Sequence, residues 1–305
     1  MLLKTHHLLL AQALLLFCHG AFARNDIEPG KEFYTAIKAE NPIVLDGDLS
    51  EWPDADVVTN PKFSIPKGSG PKPNVDGELV HFQTWRDGDW TGLNDHALET
   101  QVAYDDENVY LGIVVTDDYH ENAANSAWNG DSLQLMIADD ARQTQVALYN
   151  YALGGTENDL GDIIVHHQAR PEGGVDTEVI VSRNTDLKRT VYEIRFPKES
   201  IALEELSSGV QFGLGFLIND GDEATPGQKG WSGWGAHSGL FGKSPSETAL
   251  ITLGPVPNAL NIRPEFDPSD ENTSVQMLGQ VILSDGTLQT LAGSDLSWSK
   301  IEGPI

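Results

Sequence analysis

Trp128 and the strand-like segment that follows it are the part of this sequence best suited to binding chemistry. The segment SAWNGDSLQLMI, residues 126–137, places the tryptophan among small polar residues and then alternates apolar and polar side chains. Such alternation is typical of a strand with one buried face, from which Gln134 and Met136 would project on the other side. An exposed tryptophan ring can stack on the apolar face of a pyranose, and an amide can bond its hydroxyl groups. Trp128 is therefore either a core aromatic near a strand end or a platform for a ligand.

No catalytic motif accompanies this segment. Glycoside hydrolysis needs two carboxylates about 5–10 Å apart across a cleft, and among 46 acidic residues any two nominal candidates are uninformative. The sequence contains no Gly-x-Ser-x-Gly elbow, no His-Glu-x-x-His motif and no phosphate-binding glycine loop. The adjacent His166 and His167 would point to opposite faces of a strand, so they cannot chelate one metal together. We therefore predict a binding protein and not an enzyme.

The charge balance narrows the class of partner. The chain has 46 acidic and 19 basic residues and a formal net charge of −27. Such a field repels nucleic acid and anionic lipid, so neither is predicted as a partner. The acidity favours solubility in a salty exterior or, alternatively, calcium binding, since carboxylate and carbonyl oxygens of loops are the ligands that calcium prefers.

The first 23 residues, MLLKTHHLLLAQALLLFCHGAFA, are predicted to be a secretory signal peptide cleaved near Ala23. One lysine precedes a leucine-rich stretch, and the segment ends in a small-x-small pattern. No other apolar run of about 18 residues exists, so membrane insertion is not predicted. The only cysteine, Cys18, lies inside the predicted signal, so the mature fold would need no disulfide. We expect a secreted or extracytoplasmic protein, at the cell surface or in the periplasm.

Hydrophobic periodicity predicts strands along nearly the whole chain. Apolar residues alternate through 210–219 and again through TVYEIRF at 190–196. Further strand-like stretches are PIVLD, LETQVAYD, NVYLGIVV, DSLQLMI, TQVALYN, DIIVHHQ, TEVIVSR and TALITL, and only KESIALEEL looks helical. About ten short strands separated by turns favour an all-β fold, an antiparallel β-sandwich of the jelly-roll or immunoglobulin-like kind.

Composition also predicts where the segments and domains of the chain begin and end. After the signal peptide come an N-terminal lead-in at 24–37 and the predicted sandwich at 38–254, which is interrupted by the loop-like PKFSIPKGSGPKPNVDGE. Prolines and acids at 255–274 predict an interdomain linker. Residues 275–305 offer two or three strands, too few to close a sandwich, so we expect a short, truncated β segment there, the start of a second module. That segment resembles the opening strands of bacterial immunoglobulin-like modules, and further domains of the same polypeptide are expected after it.

Four motifs occur in an order and spacing that resembles the family 9 carbohydrate-binding modules of secreted glycan-degrading enzymes. They are IVLDGDLSEW at 43–52, VAYDDENVYLGIVVTDD at 102–118, WNGDSLQLMI at 128–137, and FGLGFLINDGD followed by GWSGWG within 212–235. The resemblance implies a β-sandwich with calcium-stabilised loops. It also implies binding of a polysaccharide or oligosaccharide at one edge, characteristically between two tryptophan rings, which would target a glycan-degrading enzyme or a surface protein to polysaccharide.

The resemblance carries specific residues over to this chain. Trp128 matches the family's first stacking tryptophan, and Gln134 stands where the family often has a glutamate that bonds sugar hydroxyls. Asn150, with Tyr149 beside it, falls where the family has polar contacts to the ligand. Trp234 matches a tryptophan that is structural in the family.

The family's second stacking ring falls in a later loop, where this chain has HSGLFG. Phe241 or His237 would replace that ring; otherwise the sandwich around the sugar is open on one side. Trp52, at the end of a turn and before Pro53, is predicted to fill the core and not to bind sugar.

Calcium is the other implication of the resemblance. The loop carboxylates of the kind that calcium binds are Asp46 and Asp48 in LDGDLSEW, Asp117 and Asp118 at the end of a strand, and Asp131 beside Trp128. Of these we predict Asp46, Asp48 and Asp118 as metal contacts. Their spacing is not that of an EF-hand loop.

Two other functions stay open at this point. The domain could be a structural spacer in a longer surface protein, with a decayed sugar site. Alternatively, sandwiches similar to this family hold haem in extracytoplasmic electron-transfer proteins, and Met136 with His166 or His167 is the one credible axial pair here.

Overall fold

The computed structural model describes residues 27–53, 56–65, 79–223, 225–240, 242–254, 257–265, 276–283 and 288–291. The predicted signal peptide and Phe241 lie outside these residues. Within the described part of the chain, no helix has the length and apolarity needed to cross a membrane.

The described residues form β-strands joined by turns, with three short 3₁₀ turns at Lys198–Ile201, Ala236–Ser238 and Pro245–Glu247. The strands are β1 Phe33–Lys38, β2 Val58–Thr59, β3 Phe63–Ser64, β4 Leu79–Val80, β5 Gln83–Thr84, β6 His96–Tyr104, β7 Asn108–Asp117, β8 Glu121–Asn122, β9 Ser132–Ala138, β10 Gln145–Thr156, β11 Asp159–Ala169, β12 Glu178–Asn184, β13 Arg189–Pro197, β14 Gln211–Asp222, β15 Thr225–Trp234, β16 Ala249–Leu253, β17 Pro257–Glu265, β18 Gln276–Leu283 and β19 Leu288–Leu291.

The long strands form two layers that share β1. One layer has the order β11-β10-β9-β14-β16-β1, and the other has the order β1-β6-β7-β13-β12. Residues 33–36 of β1 pair with β16, and residues 37–38 pair with β6, both in parallel. The other pairings along these two layers are antiparallel. The predicted all-β sandwich is confirmed, with the difference that its first strand lies in the predicted N-terminal lead-in and pairs in parallel.

The core lies between the two layers. Leu133, Leu135 and Ile137 of β9 are buried there together with Ile194 and Phe196 of β13. The alternation in SLQLMI therefore predicts the inward face of β9 correctly, because a strand buried on one face has a side-chain period of two.

Some strand predictions differ from the structure. PIVLD is not a strand, and KESIALEEL forms only the 3₁₀ turn Lys198–Ile201. GWSGWG, for which no strand was predicted, contributes residues 230–234 to β15, which pairs with β14. A Cβ on Gly230 would lie 2.2 Å from Phe82 Cε1, so the glycine allows an aromatic ring to pack directly on this strand.

The region after Gly254 contains a separate antiparallel sheet of β17, β18 and β19. Residues 257–265, which composition assigns to a linker, form β17 and pair with residues 276–283. Residues 257–265 of the predicted linker are therefore part of a sheet.

Candidate functional site

Trp128 lies in the loop 118–131, which connects β7 to β9 and contains the two-residue strand β8. The side chain of Asn122 closes this loop: its Nδ2 donates to the carbonyls of Ser126 at 2.8 Å and Asp131 at 3.0 Å, and its Oδ1 accepts from Ser126 N at 2.8 Å. Ser126 Oγ in turn accepts from the backbone N–H of Asn129 at 3.0 Å. The loop is therefore held by its own hydrogen bonds, which fix the backbone on both sides of Trp128.

The ring of Trp128 is 52% exposed. Among the tryptophans that the structure describes, none of the others is exposed: Trp52, Trp231 and Trp234 are buried, and Trp85 and Trp90 are half-buried. A large apolar ring held in solvent on an ordered loop is the kind of surface that marks a binding site. The sequence left open whether Trp128 is a core aromatic, and the structure places it at the surface.

A row of polar side chains crosses the outer face of the same sheet. Asn150 of β10 is in register with Gln134 of β9 on one side and with His166 of β11 on the other. Asn150 is buried, Gln134 is half-buried and His166 is exposed. Gln134 lies on β9, the strand that follows the Trp128 loop. Amide and imidazole groups are therefore available next to the end of the sheet that carries the tryptophan.

The residues after β15 cover part of this outer face. A Cβ placed on Gly239 would lie 2.9 Å from Leu217 Cδ2 and 3.4 Å from the carbonyl oxygen of Gln134. Lys243 Nζ donates to the carbonyl of Gly239 at 3.3 Å and to Gln168 Oε1 at 3.4 Å on β11. Burial lowers the pKa of Lys243. The loop therefore reaches from β14 to β11 and forms a wall beside the polar row. Sequence reasoning missed Lys243, although a lysine beside HSGLFG in so acidic a chain was an available signal.

Two predicted sugar contacts are buried elsewhere, and they are corrected here. Tyr149 has 0% exposure and lies in the main core, where its hydroxyl donates to the carbonyl of Ser200 at 2.5 Å. Neighbouring residues of a strand face opposite sides, so Tyr149 cannot share a surface with Asn150. His237 is 7% exposed, and its ring lies edge-on to Phe63 with centroids 5.4 Å apart. Phe241 lies outside the described residues, which hold no second exposed ring near Trp128 in the predicted loop.

The predicted calcium contacts do not converge on one point. Asp46 and Asp48 are exposed, and each caps its own loop: Asp46 Oδ1 accepts from Asp48 N at 2.9 Å, and Asp48 Oδ1 accepts from Ser50 N at 3.0 Å. Asp118 lies on the other loop, where burial and the charge of Asp95 raise its pKa. The residues predicted to bind one kind of ion therefore belong to two separate places.

A different group of ligand-type side chains is buried at the base of the Trp128 loop. Asp117, His120 and Asp131 each direct one ligand atom to a common point, and these three atoms lie within 4.8 Å of one another. All three residues are buried, as is the neighbouring Asp220. Burial raises the pKa of Asp117 and Asp131, and the charge of Asp220 raises both further. The sequence identifies Asp117 and Asp131 as loop carboxylates of the kind that bind metal, but the sequence analysis missed His120, three residues after Asp117.

Comparison with known proteins identifies the family. The profile of the family described as carbohydrate family 9 binding domain-like matches residues 76–248, more than half of the chain. The chain therefore belongs to this family, and its matched region is a carbohydrate-binding module. No curated protein sequence matches it.

Two solved structures resemble the chain. Both are of a family 9 carbohydrate-binding module from Caldicellulosiruptor kristjanssonii. The complex with cellotriose is 15% identical, with a TM-score of 0.49 over 73% of this chain and 93% of that chain. The complex with glucose is 16% identical, with a TM-score of 0.48 over 74% of this chain and 97% of that chain.

Proposed function

We propose that this domain binds a saccharide by stacking one sugar ring on Trp128. The observation that carries the proposal is the 52% exposure of this ring on a loop closed by Asn122 and Ser126, while the other described tryptophans pack inside the protein. Because the loop is ordered without a ligand, little conformational entropy would be lost when a sugar binds.

The polar row supplies the hydrogen bonds of the proposed site. The half-buried amide of Gln134 can donate to and accept from sugar hydroxyls, and Lys243 Nζ can donate from the opposite wall. Asn150 is 4% exposed, so it lies beneath this surface. The amide of Gln134 carries no charge, so its bonds are weaker than the bond that a carboxylate would make to a hydroxyl. We therefore expect a site that depends on stacking more than on hydrogen bonding.

Calorimetry of the secreted chain with cellotriose, together with a glycan array, tests the proposal. Replacing Trp128 by Ala removes the platform, so we expect a loss of affinity of about 10- to 100-fold, by analogy with other ring-stacking contacts of about 1–3 kcal/mol. Trp128→Phe keeps a ring and is expected to retain part of the affinity. Leu187→Ala is a matched control, because Leu187 is 63% exposed on the turn between the β12 and β13 strands of the other layer.

Two results would contradict the proposal. One is the absence of saccharide binding by folded wild-type protein, and the other is an unchanged affinity after Trp128→Ala. The first result would support the spacer function, a hypothesis that gains from the burial of both Tyr149 and His237. The haem hypothesis receives no such support. Met136, the axial ligand that it requires, is fully buried.

Calcium is part of the same proposal, at the Asp118 side of the molecule. The charges of Asp95 and Asp118 raise the pKa of Asp222 in addition to burial, so three carboxylates lie close enough to repel one another there. An all-oxygen group at a loop is what calcium prefers. A melting temperature that rises with calcium in wild type and in Asp46→Asn, but not in Asp118→Asn, would support this assignment; a shift lost only in Asp46→Asn would contradict it.

Export and targeting complete the proposed role. With residues 1–23 as a signal peptide, the domain would act outside the cytoplasm and hold a larger polypeptide on polysaccharide. Expression of the chain with and without residues 1–23, followed by assay of the medium and of an insoluble polysaccharide pellet, tests both statements. If the chains with and without residues 1–23 are retained in the cell to the same extent, export is contradicted. If the polysaccharide pellet contains none of the protein, targeting is contradicted.

A further inference from the structure

We propose that Asp117, His120 and Asp131 bind one divalent transition-metal ion of the zinc type at the base of the Trp128 loop. The three ligand atoms lie within 4.8 Å of one another. His120 has 0% exposure, and Asp117 and Asp131 are 4% and 5% exposed. None of its three residues belongs to the group Asp95, Asp118 and Asp222, which carries the calcium proposal.

The orientation of His120 is the first argument for a cation. Its Nε2 lies 3.1 Å from the carbonyl oxygen of Leu153, which can only accept, so Nε2 carries the proton. Nδ1 of the neutral ring is then an acceptor, and it faces Asp131 Oδ2, another acceptor, at 3.1 Å. Nδ1 has no hydrogen-bond partner. Two acceptors this close need a positive charge between them, which either a proton on Nδ1 or a bound metal ion would supply.

The hydrogen bond to Leu153 is also what a metal-binding imidazole requires. A histidine that binds a metal through one nitrogen commonly donates its other N–H to a backbone carbonyl, which fixes the tautomer and the ring orientation. Here the carbonyl of β10 assigns the proton to Nε2 and leaves Nδ1 directed at the carboxylates.

The charge balance of the interior is the second argument. Asp220 adds a third buried carboxylate, and its Oδ2 is buried with no hydrogen-bond partner. Arg183 approaches Asp117 Oδ2 only to 3.5 Å, and the same guanidinium lies 2.7 Å from Glu157. Buried charges are costly unless they are paired or bound to a metal. His96 Nδ1 lies 2.9 Å from Asp220 Oδ1. Arg183 and His96 are thus the basic groups that face three buried carboxylates, and Arg183 is shared with Glu157, so a divalent ion would add positive charge where acidic groups predominate.

The carboxylates are held in place before any ion binds. Asp131 accepts from Glu121 N through Oδ2 at 2.6 Å and from Gly221 N through Oδ1 at 2.7 Å. Asp117 Oδ1 accepts from Tyr119 N at 3.0 Å. Each oxygen keeps a second lone pair for a metal.

The donor set selects the class of ion. One imidazole nitrogen and two carboxylate oxygens suit zinc and its neighbours, whereas calcium takes six to eight oxygen ligands. The ligands come from the end of β7, the residue before β8 and the residue before β9, so the ion would join both ends of the loop. If Trp128 is the sugar platform, a point that rests on the proposed function, metal binding would also fix the platform.

Metal analysis of the full secreted chain tests the inference. The protein is stripped with EDTA, dialysed against Zn²⁺ and analysed by mass spectrometry for bound metal. We expect about one equivalent of zinc, and a melting temperature raised by about 5 °C or more when free zinc exceeds its Kd about 100-fold. His120→Asn is expected to lose the bound zinc, and Asp140→Asn, an acidic control at an exposed position after β9, is expected to keep it.

Cobalt keeps the test decisive if His120→Asn does not fold. Co²⁺ bound by His120 in wild type should shift the Nε2 proton of one histidine far outside the normal NMR range. The inference is overturned if folded wild type binds no stoichiometric zinc, if calcium displaces zinc at equal concentration, if His120→Asn retains full occupancy, or if no shifted imidazole proton is seen. Sugar affinity is measured with and without zinc. Failure of zinc binding with intact sugar binding refutes only this inference, and the reverse result refutes only the proposed function.

Discussion

Two loops of this domain contain similar residues and use them in opposite ways. One is the loop at 43–52, which ends in LDGDLSEW, and the other is the loop at 118–131, which ends in WNGD. Each contains a tryptophan and a glycine followed by aspartate. Trp52 is 7% exposed and packs on Tyr110, whereas Trp128 is 52% exposed. The same side chain is a filler of the interior in one loop and a surface platform in the other.

The carboxylates beneath the two loops explain the difference. Under the first loop, Glu193 is fully buried and satisfied by the protein: its Oε2 accepts from Asp46 N at 2.9 Å and Gly47 N at 2.5 Å, and its Oε1 accepts from Trp52 Nε1 at 3.0 Å. Under the second loop, His120 Nδ1 and Asp220 Oδ2 remain without hydrogen bonds. A network that is complete within the protein is structural, and one with buried polar atoms left over has capacity for a ligand.

The largest difference is expected from truncating the two tryptophans. Trp52→Ala should lower the free energy of unfolding by about 3–5 kcal/mol, because it leaves a cavity and removes a donor to Glu193. Trp128→Ala should change it by only about 0.5 kcal/mol or less, as for a surface substitution. Denaturant unfolding followed by far-UV circular dichroism measures both. Similar losses in the two variants would contradict the contrast between the loops.

A smaller effect is expected from Glu193→Gln. The amide oxygen can still accept from the N–H groups of Asp46 and Gly47, but the amide NH₂ then faces the donor Trp52 Nε1 at the opposite end. A buried donor without a partner costs about 1–3 kcal/mol of unfolding free energy. Saccharide affinity should not change. A variant that keeps its stability would mean that this network is less complete than its distances indicate.

The two glycines provide a matched pair with a further, smaller effect. Gly47 and Gly130 have φ of 87° and 128°, and an added Cβ would lie 2.8 Å from Ser182 Cβ and 2.6 Å from Glu121 O respectively. Replacing either by Ala should cost about 1–3 kcal/mol of stability through backbone strain. Only Gly130→Ala should also weaken saccharide binding, because it displaces the Trp128 loop. An equal loss of affinity in Gly47→Ala would remove the distinction.

The smallest effect concerns pH. Burial raises the pKa of Glu193, and the donors from Gly47, Trp52 and Asp46 offset this only in part. The folded state therefore keeps the proton to a higher pH than the unfolded state, so the stability from this group is full below the unfolded value of about 4.3 and falls as pH rises through the folded pKa. The stability difference between wild type and Glu193→Gln should shrink as pH rises from about 4.3 through the folded pKa of Glu193. A stability difference that grows as pH rises would mean that folding lowers the pKa of Glu193 instead of raising it.

Much of the fold was predictable because successive side chains of a strand face opposite sides of its sheet. The alternation in β9 and β14 identified their inward residues, and a two-residue period needs no tertiary information. The same period already separates Tyr149 from Asn150, and applying it to β10 would have excluded the tyrosine. The first strand was not predictable, since β1 joins two layers through contacts with β16 and β6 that lie far away in the chain.

The sequence by itself determined the all-β class, the family motifs and the segment in which Trp128 stands, because these depend on local alternation and ordered spacing. The burial of Trp52 was predicted from its place before Pro53. Only the tertiary structure decided that Trp128 faces solvent, that His237 packs on Phe63, and that ligand atoms of Asp117, His120 and Asp131 lie within 4.8 Å of one another. The physical reason is that these outcomes depend on which strand ends are brought together. Burial and hydrogen-bond satisfaction are properties of that assembly and not of a residue's neighbours in the chain.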